Sequence, residues 1–176
     1  VFCPNHTSIV DILLMLVLSD NPFVFLGKKE LSKIPVFGYI YRKTCIMVDR
    51  ENKTNKNSAF TEAQRRLANG LSVCIFPEGT STAGDRVLPF RPNLFESAAQ
   101  SQVQTFPMTI RYVDQDNQYS DATAFVGEMT LIDSIIKMLR TKSITVELIF
   151  GPSPATELDR KALAQYCEEQ VRSQIK

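Results

Sequence analysis

Residues 57–80 read NSAFTEAQRRLANG and continue without a break into LSVCIFPEGT. Phe60, Ala63 and Leu67 recur at helical spacing through the first part, and Gly70 stands where a C-terminal cap belongs. The spacing predicts a helix over 57–69. Leu71 to Phe76 is then an almost unbroken apolar run, bounded by Gly70 before it and Pro77 after it. A run this short, apolar on both of its alternating faces, reads as a strand covered on both sides, as in a parallel sheet.

Working outward, the same signature recurs. Phe23–Gly27 and Cys45–Val48 read as buried strands, and Val1–Pro4 as the end of another. Ile9–Leu18 is a helix apolar on nearly every side, so it is expected to be buried. Lys28–Lys33 reads as a short polar helix stopped by Pro35. Beyond the loop Pro77–Pro92 come a helix at Asn93–Gln102, a strand at Val103–Ile110, a polar loop at Asp114–Ser120 and a helix at Leu131–Arg140. Ile144–Phe150 alternates, as a half-exposed strand does, and Thr156–Asp159 opens a final amphipathic helix. Apolar strands separated by helices predict an α/β fold: a mostly parallel central sheet covered by helices on both faces. No linker divides the chain, so residues 1–176 are expected to form a single domain. Val1-Phe2-Cys3-Pro4 starts like a strand already under way, so an N-terminal portion is expected to precede it. The apolar run Ile12–Leu18 is far shorter than the roughly 20 residues needed to cross a bilayer.

Composition excludes several classes. Hydrophobic residues make up 44% and charged ones 22%, which is globular and not disordered. Lys and Arg total 20 against 19 Asp and Glu, a net charge of +1, so a nucleic-acid partner is not expected. Four cysteines with no C-x-x-C pair, three of them in apolar runs, read as buried free thiols of a reducing compartment. The one histidine, His6, must carry any imidazole chemistry.

His6 falls where a buried strand meets a helix. Asp11 lies within that helix's first turn, so its carboxylate can fold back to the imidazole, fix the tautomer and leave Nε2 free to take a proton. No serine nucleophile accompanies the pair, which suits it to deprotonating a substrate's own hydroxyl. The competing reading is that Ser8-x-x-Asp11 is a helix capping box and His6 a satisfied strand-end residue. Phe76-Pro77-Glu78-Gly79-Thr80 makes a tight turn whose amides and hydroxyl can face an anion. Glu78 there either orients a substrate hydroxyl or holds an arginine. Arg50, Arg91, Lys28 and Lys29 stand just after strands or at a helix start, the zone where open α/β sheets bind ligands. Cys3 is a poor nucleophile for His6, because Pro4 lies between them and residues three apart on a strand face opposite ways.

Together these segments resemble the PlsC-type glycerolipid acyltransferases. Asn5-His6-x4-Asp11 resembles the family's N-H-x4-D block, Thr44–Arg50 its second block, Phe76–Thr80 its third, and the strand containing Pro107 its fourth. Thr44 stands in place of the usual Gly, Ser81 in place of an Arg, and Gln104 in place of a first proline. The string from Ser81 to Arg91 resembles a bacterial branch that includes lyso-ornithine-lipid acyltransferases. The resemblance implies His6 as general base and Asp11 as its orienting partner. Arg50 with Glu78, Gly79 and Thr80 would bind the acceptor headgroup, and Arg86 or Arg91 would replace the missing Arg. It implies acyl-CoA or acyl carrier protein as donor, a membrane lyso-lipid as acceptor, and no metal or organic cofactor. It also implies a membrane-associating segment before residue 1 and a place on the cytoplasmic face of a bacterial inner membrane. Charge matching to Arg50, Arg86 and Arg91 favours 1-acyl-glycerol-3-phosphate, giving phosphatidic acid, with a lyso-ornithine lipid as the alternative acceptor. A catalytically silent lipid-binding domain is the remaining alternative.

Overall fold

The computed structural model describes residues 1–8, 10–18, 23–33, 37–48, 53–116, 118–125, 127 and 129–175. Its elements run β1 (Phe2–Pro4), α1 (Val10–Leu18), β2 (Phe23–Lys28), α2 (Phe37–Thr44), β3 (Cys45–Val48), α3 (Lys53–Ala68), β4 (Ser72–Cys74), α4 (Glu96–Ser101), β5 (Phe106–Val113), α5 (Leu131–Leu139), β6 (Thr145–Phe150) and α6 (Arg160–Gln174). Six strands form one sheet in the order β3-β2-β4-β1-β5-β6. All neighbours are parallel except β5 and β6. This is the predicted α/β layer.

Alternation along the strands divides the core. Cys3, Val73 and Ile75 face one way, towards Phe95, Ala98 and the α6 residues Leu163, Cys167 and Val171. Val24, Ile46 and Val48 meet Ala59 and Ala63 of α3. Phe25, Cys74, Phe76, Met108, Ile110 and Tyr112 form the other cluster, with Ile12 and Met15 of α1 and Tyr41 of α2. Helices therefore cover both faces. Being central, β1 is buried on both sides although only three residues long.

Several boundaries differ from expectation, each for a physical reason. α1 is not buried all round: Ile12 and Met15 are interior, whereas Leu13 is 42% and Val17 83% exposed. Uniform hydrophobicity carries no information about which side meets the sheet. β4 keeps only Ser72–Cys74 of the apolar run; Ile75 still donates its N–H to the Phe2 carbonyl of β1 at 2.9 Å, and the chain then passes into the loop. β5 starts three residues later than predicted and runs on to Val113, paired to β6 throughout its second half. The helix predicted at Asn93–Gln102 is a 3-10 turn, Pro92–Phe95, leading into α4. α3 starts at Lys53, and Gly70 closes it with φ +78°, where Leu71 N–H reaches back to the Arg66 carbonyl at 3.1 Å. α2 was not foreseen: FGYIYRKT is amphipathic but spans only eight residues, little more than two turns.

Candidate active site

The site grows from the carboxyl end of β1. There Asn5, fully buried, replaces backbone pairing with its own amide. Its Oδ1 accepts the Ile110 N–H at 2.7 Å and its Nδ2 donates to the Ile110 carbonyl at 3.0 Å. The chain is thus clasped to β5 as it turns out of the sheet. His6 comes next, with its backbone held from both sides: its N–H donates to Glu78 Oε1 at 2.8 Å and its carbonyl accepts Thr82 N–H at 2.9 Å. Its ring lies over Phe76, with centroids 4.3 Å apart.

His6 Nδ1 stands 2.8 Å from Asp11 Oδ2. The side chain of His6 is 21% exposed and that of Asp11 not at all. With Nδ1 donating to a carboxylate, Nε2 carries the lone pair, and among the described residues nothing bonds it. Asp11 is held by more than the imidazole. Oδ2 also accepts the N–H groups of Thr7 (2.8 Å) and Ser8 (2.9 Å), and Oδ1 accepts the Tyr112 hydroxyl at 2.6 Å. The capping reading and the dyad reading are therefore both satisfied by one carboxylate. Ser8 Oγ accepts Val10 N–H at 3.2 Å, while Asp11 returns to Ser8 N–H and still orients His6. Burial and the adjoining Asp11 charge push the Tyr112 hydroxyl far above its ordinary range, so it stays a donor.

The loop after β4 brings Glu78, Gly79, Thr80 and Arg91 together. Gly79 adopts φ +71°, and a Cβ there would come within 2.9 Å of the Arg91 guanidinium carbon. Only glycine allows that turn and that approach. Glu78, Thr80, Leu88, Phe90, Arg91 and Asn93 line an open cleft of about 480 Å³ beside them. Glu78 is tied to the backbone on both sides. It is 2% exposed, and its two oxygens accept the N–H groups of His6 and Leu88, each at 2.8 Å. Burial pushes its pKa above the usual carboxylate range, opposed by the amides of Leu88 and His6. It braces the loop against His6.

The remaining sequence assignments divide. Arg50 lies outside the described residues. Arg86 is 68% exposed, with Asp85 3.8 Å away, so part of its charge is already matched. Cys3 is fully buried, its thiol pushed well up by burial, with Sγ 3.3 Å from the Phe106 carbonyl. That is a packed core thiol. Among the described residues no cluster of His, Cys, Asp or Glu is arranged to hold a metal. Tyr112 was missed. Its one signal was a lone hydroxyl on the apolar face of β5, in step with Met108 and Ile110.

With this geometry in hand, comparison with known proteins gives a consistent result. The sequence profile of the family described as Acyltransferase matches residues 1–111. The lyso-ornithine lipid O-acyltransferase of Rhizobium meliloti is 30% identical over 171 residues, covering 90% of this chain and 57% of that protein. That of Brucella abortus is 30% identical over 184 residues, covering 96% of this chain and 68% of that protein. The 1-acyl-sn-glycerol-3-phosphate acyltransferase of Haemophilus influenzae is 34% identical over 110 residues, 61% of this chain and 46% of that protein. In fold, the chain is similar to the crystal structure of the 1-acyl-sn-glycerophosphate acyltransferase PlsC from Thermotoga maritima. The TM-score is 0.66 at 24% identity, over 99% of this chain and 64% of that one. This chain thus spans less than two thirds of the Rhizobium and Thermotoga proteins.

Proposed function

Because this chain belongs to the acyltransferase family, we propose that it moves a fatty acyl group from a thioester to the free hydroxyl of a lyso-lipid, with His6 as general base. The observation that carries this reading is the 2.8 Å contact between His6 Nδ1 and a fully buried carboxylate, with Nε2 left open. Nε2 removes the acceptor's hydroxyl proton as that oxygen attacks the acyl carbonyl. The resulting imidazolium pairs with Asp11. The tetrahedral intermediate then collapses, the C–S bond breaks, and the imidazolium returns its proton to the departing thiolate. An ester and a free thiol are the products. A thioester carries its own good leaving group, so the reaction as written calls on no metal or organic cofactor. Acyl-CoA and acyl carrier protein are the two donors that fit.

The acceptor headgroup rests in the cleft between the Gly79-Thr80 turn and Arg91. On the resemblance of its sequence block, Arg50 reaches the same group. A phosphomonoester suits these groups, because a guanidinium and a hydroxyl both donate to its oxygens. Glu78 is the acid that would have met an ornithine ammonium, and both its oxygens already accept backbone amides. We therefore assign 1-acyl-glycerol-3-phosphate as acceptor and phosphatidic acid as product, made at the cytoplasmic face of a bacterial inner membrane. The names of the Rhizobium and Brucella relatives favour a lyso-ornithine lipid as the second reading. Competing the two lyso-lipids for one acyl donor, with the whole protein, decides between them through the ratio of kcat/KM. A ratio favouring lyso-ornithine lipid replaces the first acceptor by the second. Transfer to neither, with lipid binding retained, leaves a silent lipid-binding domain.

A further inference from the structure

Between β5 and β6 the chain makes an excursion that carries α5. α5 reads LIDSIIKML, begins with a full capping box between Thr130 and Asp133, and is followed by Arg140-Thr141-Lys142. Ser134 marks its buried side, but among the described residues α5 packs extensively along no other helix or strand. Three of its apolar residues are turned outward: Ile135 is 42%, Ile136 41% and Leu139 81% exposed. A nine-residue helix with this much bare hydrocarbon on one side is unfavourable in water.

Two observations say what covers it. The first is charge. Residues 131–143 carry Lys137, Arg140 and Lys142 against Asp133 alone, a local excess of +2 in a chain whose total is +1. Lys137 is engaged with Asp121 at 3.1 Å, while Arg140 and Lys142 are exposed and, among the described residues, form no ion pair. Apolar side chains beside unmatched cations suit an anionic lipid surface, not a neutral protein groove. The second is place. Val113 and Thr145 pair at the edge where β5 ends and β6 begins, so α5 belongs to the carboxyl edge of the sheet, where His6 lies. Its leading segment is tied to the dyad loop: Phe125 N–H donates to the Thr7 carbonyl at 3.0 Å, and Lys137 Nζ donates to the Asp121 carbonyl at 2.6 Å.

We infer that α5 is an in-plane membrane contact: Ile135, Ile136 and Leu139 enter the headgroup boundary of an anionic bilayer while Arg140 and Lys142 meet its phosphates. The inference rests on the acyltransferase reading for its purpose, since an acceptor drawn from the bilayer then enters the site directly from the surface on which α5 lies.

The test uses the whole protein carrying Leu139→Cys labelled with an environment-sensitive fluorophore. The four cysteines of residues 1–176 are buried, and any reactive thiol elsewhere in the protein is first replaced by serine, so that a maleimide selects the introduced one. On vesicles of phosphatidylcholine with about one third phosphatidylglycerol, the emission is expected to shift to the blue. The same label at Lys161→Cys on α6 stays in water. Arg140→Gln with Lys142→Gln should weaken the response at residue 139 by about tenfold or more, each cation near such a surface contributing about fivefold. Leu139→Asp should raise KM for a bilayer-embedded acceptor and leave transfer to a monomeric short-chain one unchanged. An unshifted label on vesicles that the protein binds overturns the inference. So does a blue shift without lipid that follows protein concentration, which makes this face a contact between copies. The fluorescence does not depend on turnover, so absence of acyl transfer to either acceptor counts against the enzymatic reading alone.

Discussion

At the scale of single residues, the dyad is defined by who holds Asp11. Four donors reach its carboxylate within 2.9 Å: His6 Nδ1, two backbone amides and the Tyr112 hydroxyl. His6→Ala is expected to lower turnover by roughly 10²–10⁴ while keeping the fold, at a stability cost like that of any lost bond to the buried Asp11 carboxylate, about 1.5–3 kcal/mol. Comparable turnover in the variant would make His6 structural. Tyr112→Phe probes positioning without touching substrate. It removes one bond to a buried charge, at a cost of about 1.5–3 kcal/mol in stability. It also frees the carboxylate that orients His6, so kcat is expected to fall by about tenfold with KM for the acceptor unchanged. A stability loss with unchanged kcat would mean that Tyr112 only packs.

At the scale of elements, the site depends on strand ends and on the turns that follow them. Gly70 shows how directly a local signal reads out. It ends α3 at φ +78°, and a Cβ there would touch nothing within 4 Å. Gly70→Ala therefore isolates the left-handed backbone term, and should destabilise the protein by about 1–2 kcal/mol in denaturant unfolding with no change in activity. An unchanged midpoint would show that the turn tolerates another geometry. Helices with caps and periodicity, such as α3 and α6, were legible in the sequence for this reason: the information sits within a few residues. α1 was legible as a helix but not in its orientation, because Leu13, Val17, Ile12 and Met15 are chemically alike and only the neighbouring sheet distinguishes them. The strand β5 was displaced by three residues because its register follows β1 and β6, not its own composition.

At the scale of the whole molecule, the two faces of the sheet do different work. One is packed with α3, α4 and α6, and the other carries α1, α2 and the dyad. Cys3, Cys45, Cys74 and Cys167 are all buried and free. Burial holds the Cys3 thiol well above its ordinary range and pushes that of Cys45 up to about 12. Thiol reagents attack the thiolate, so mildly alkaline pH does not expose these groups to reaction. Labelling in increasing denaturant should follow global unfolding as a single event, and alkylation under native conditions should leave acyl transfer intact. Early loss of activity on modification of Cys3 would bring back thiol chemistry.

The sequence by itself determined the α/β class, the order of most elements and the pairing of His6 with Asp11. Each of these is local: apolar runs and helical spacing span a few residues, and a carboxylate five positions after a strand-end histidine falls within reach once a helix starts between them. The tertiary structure alone decided the rest of the site. Placing β1 between β4 and β5 brings Glu78 to the His6 amide across 72 residues and Tyr112 to Asp11 across 101. A buried polar group is satisfied by whatever the sheet order sets opposite it, and that order arises from the packing of both faces together. Glu78 accordingly bonds the His6 and Leu88 amides, and a tyrosine that read as core became the fourth hold on the Asp11 carboxylate.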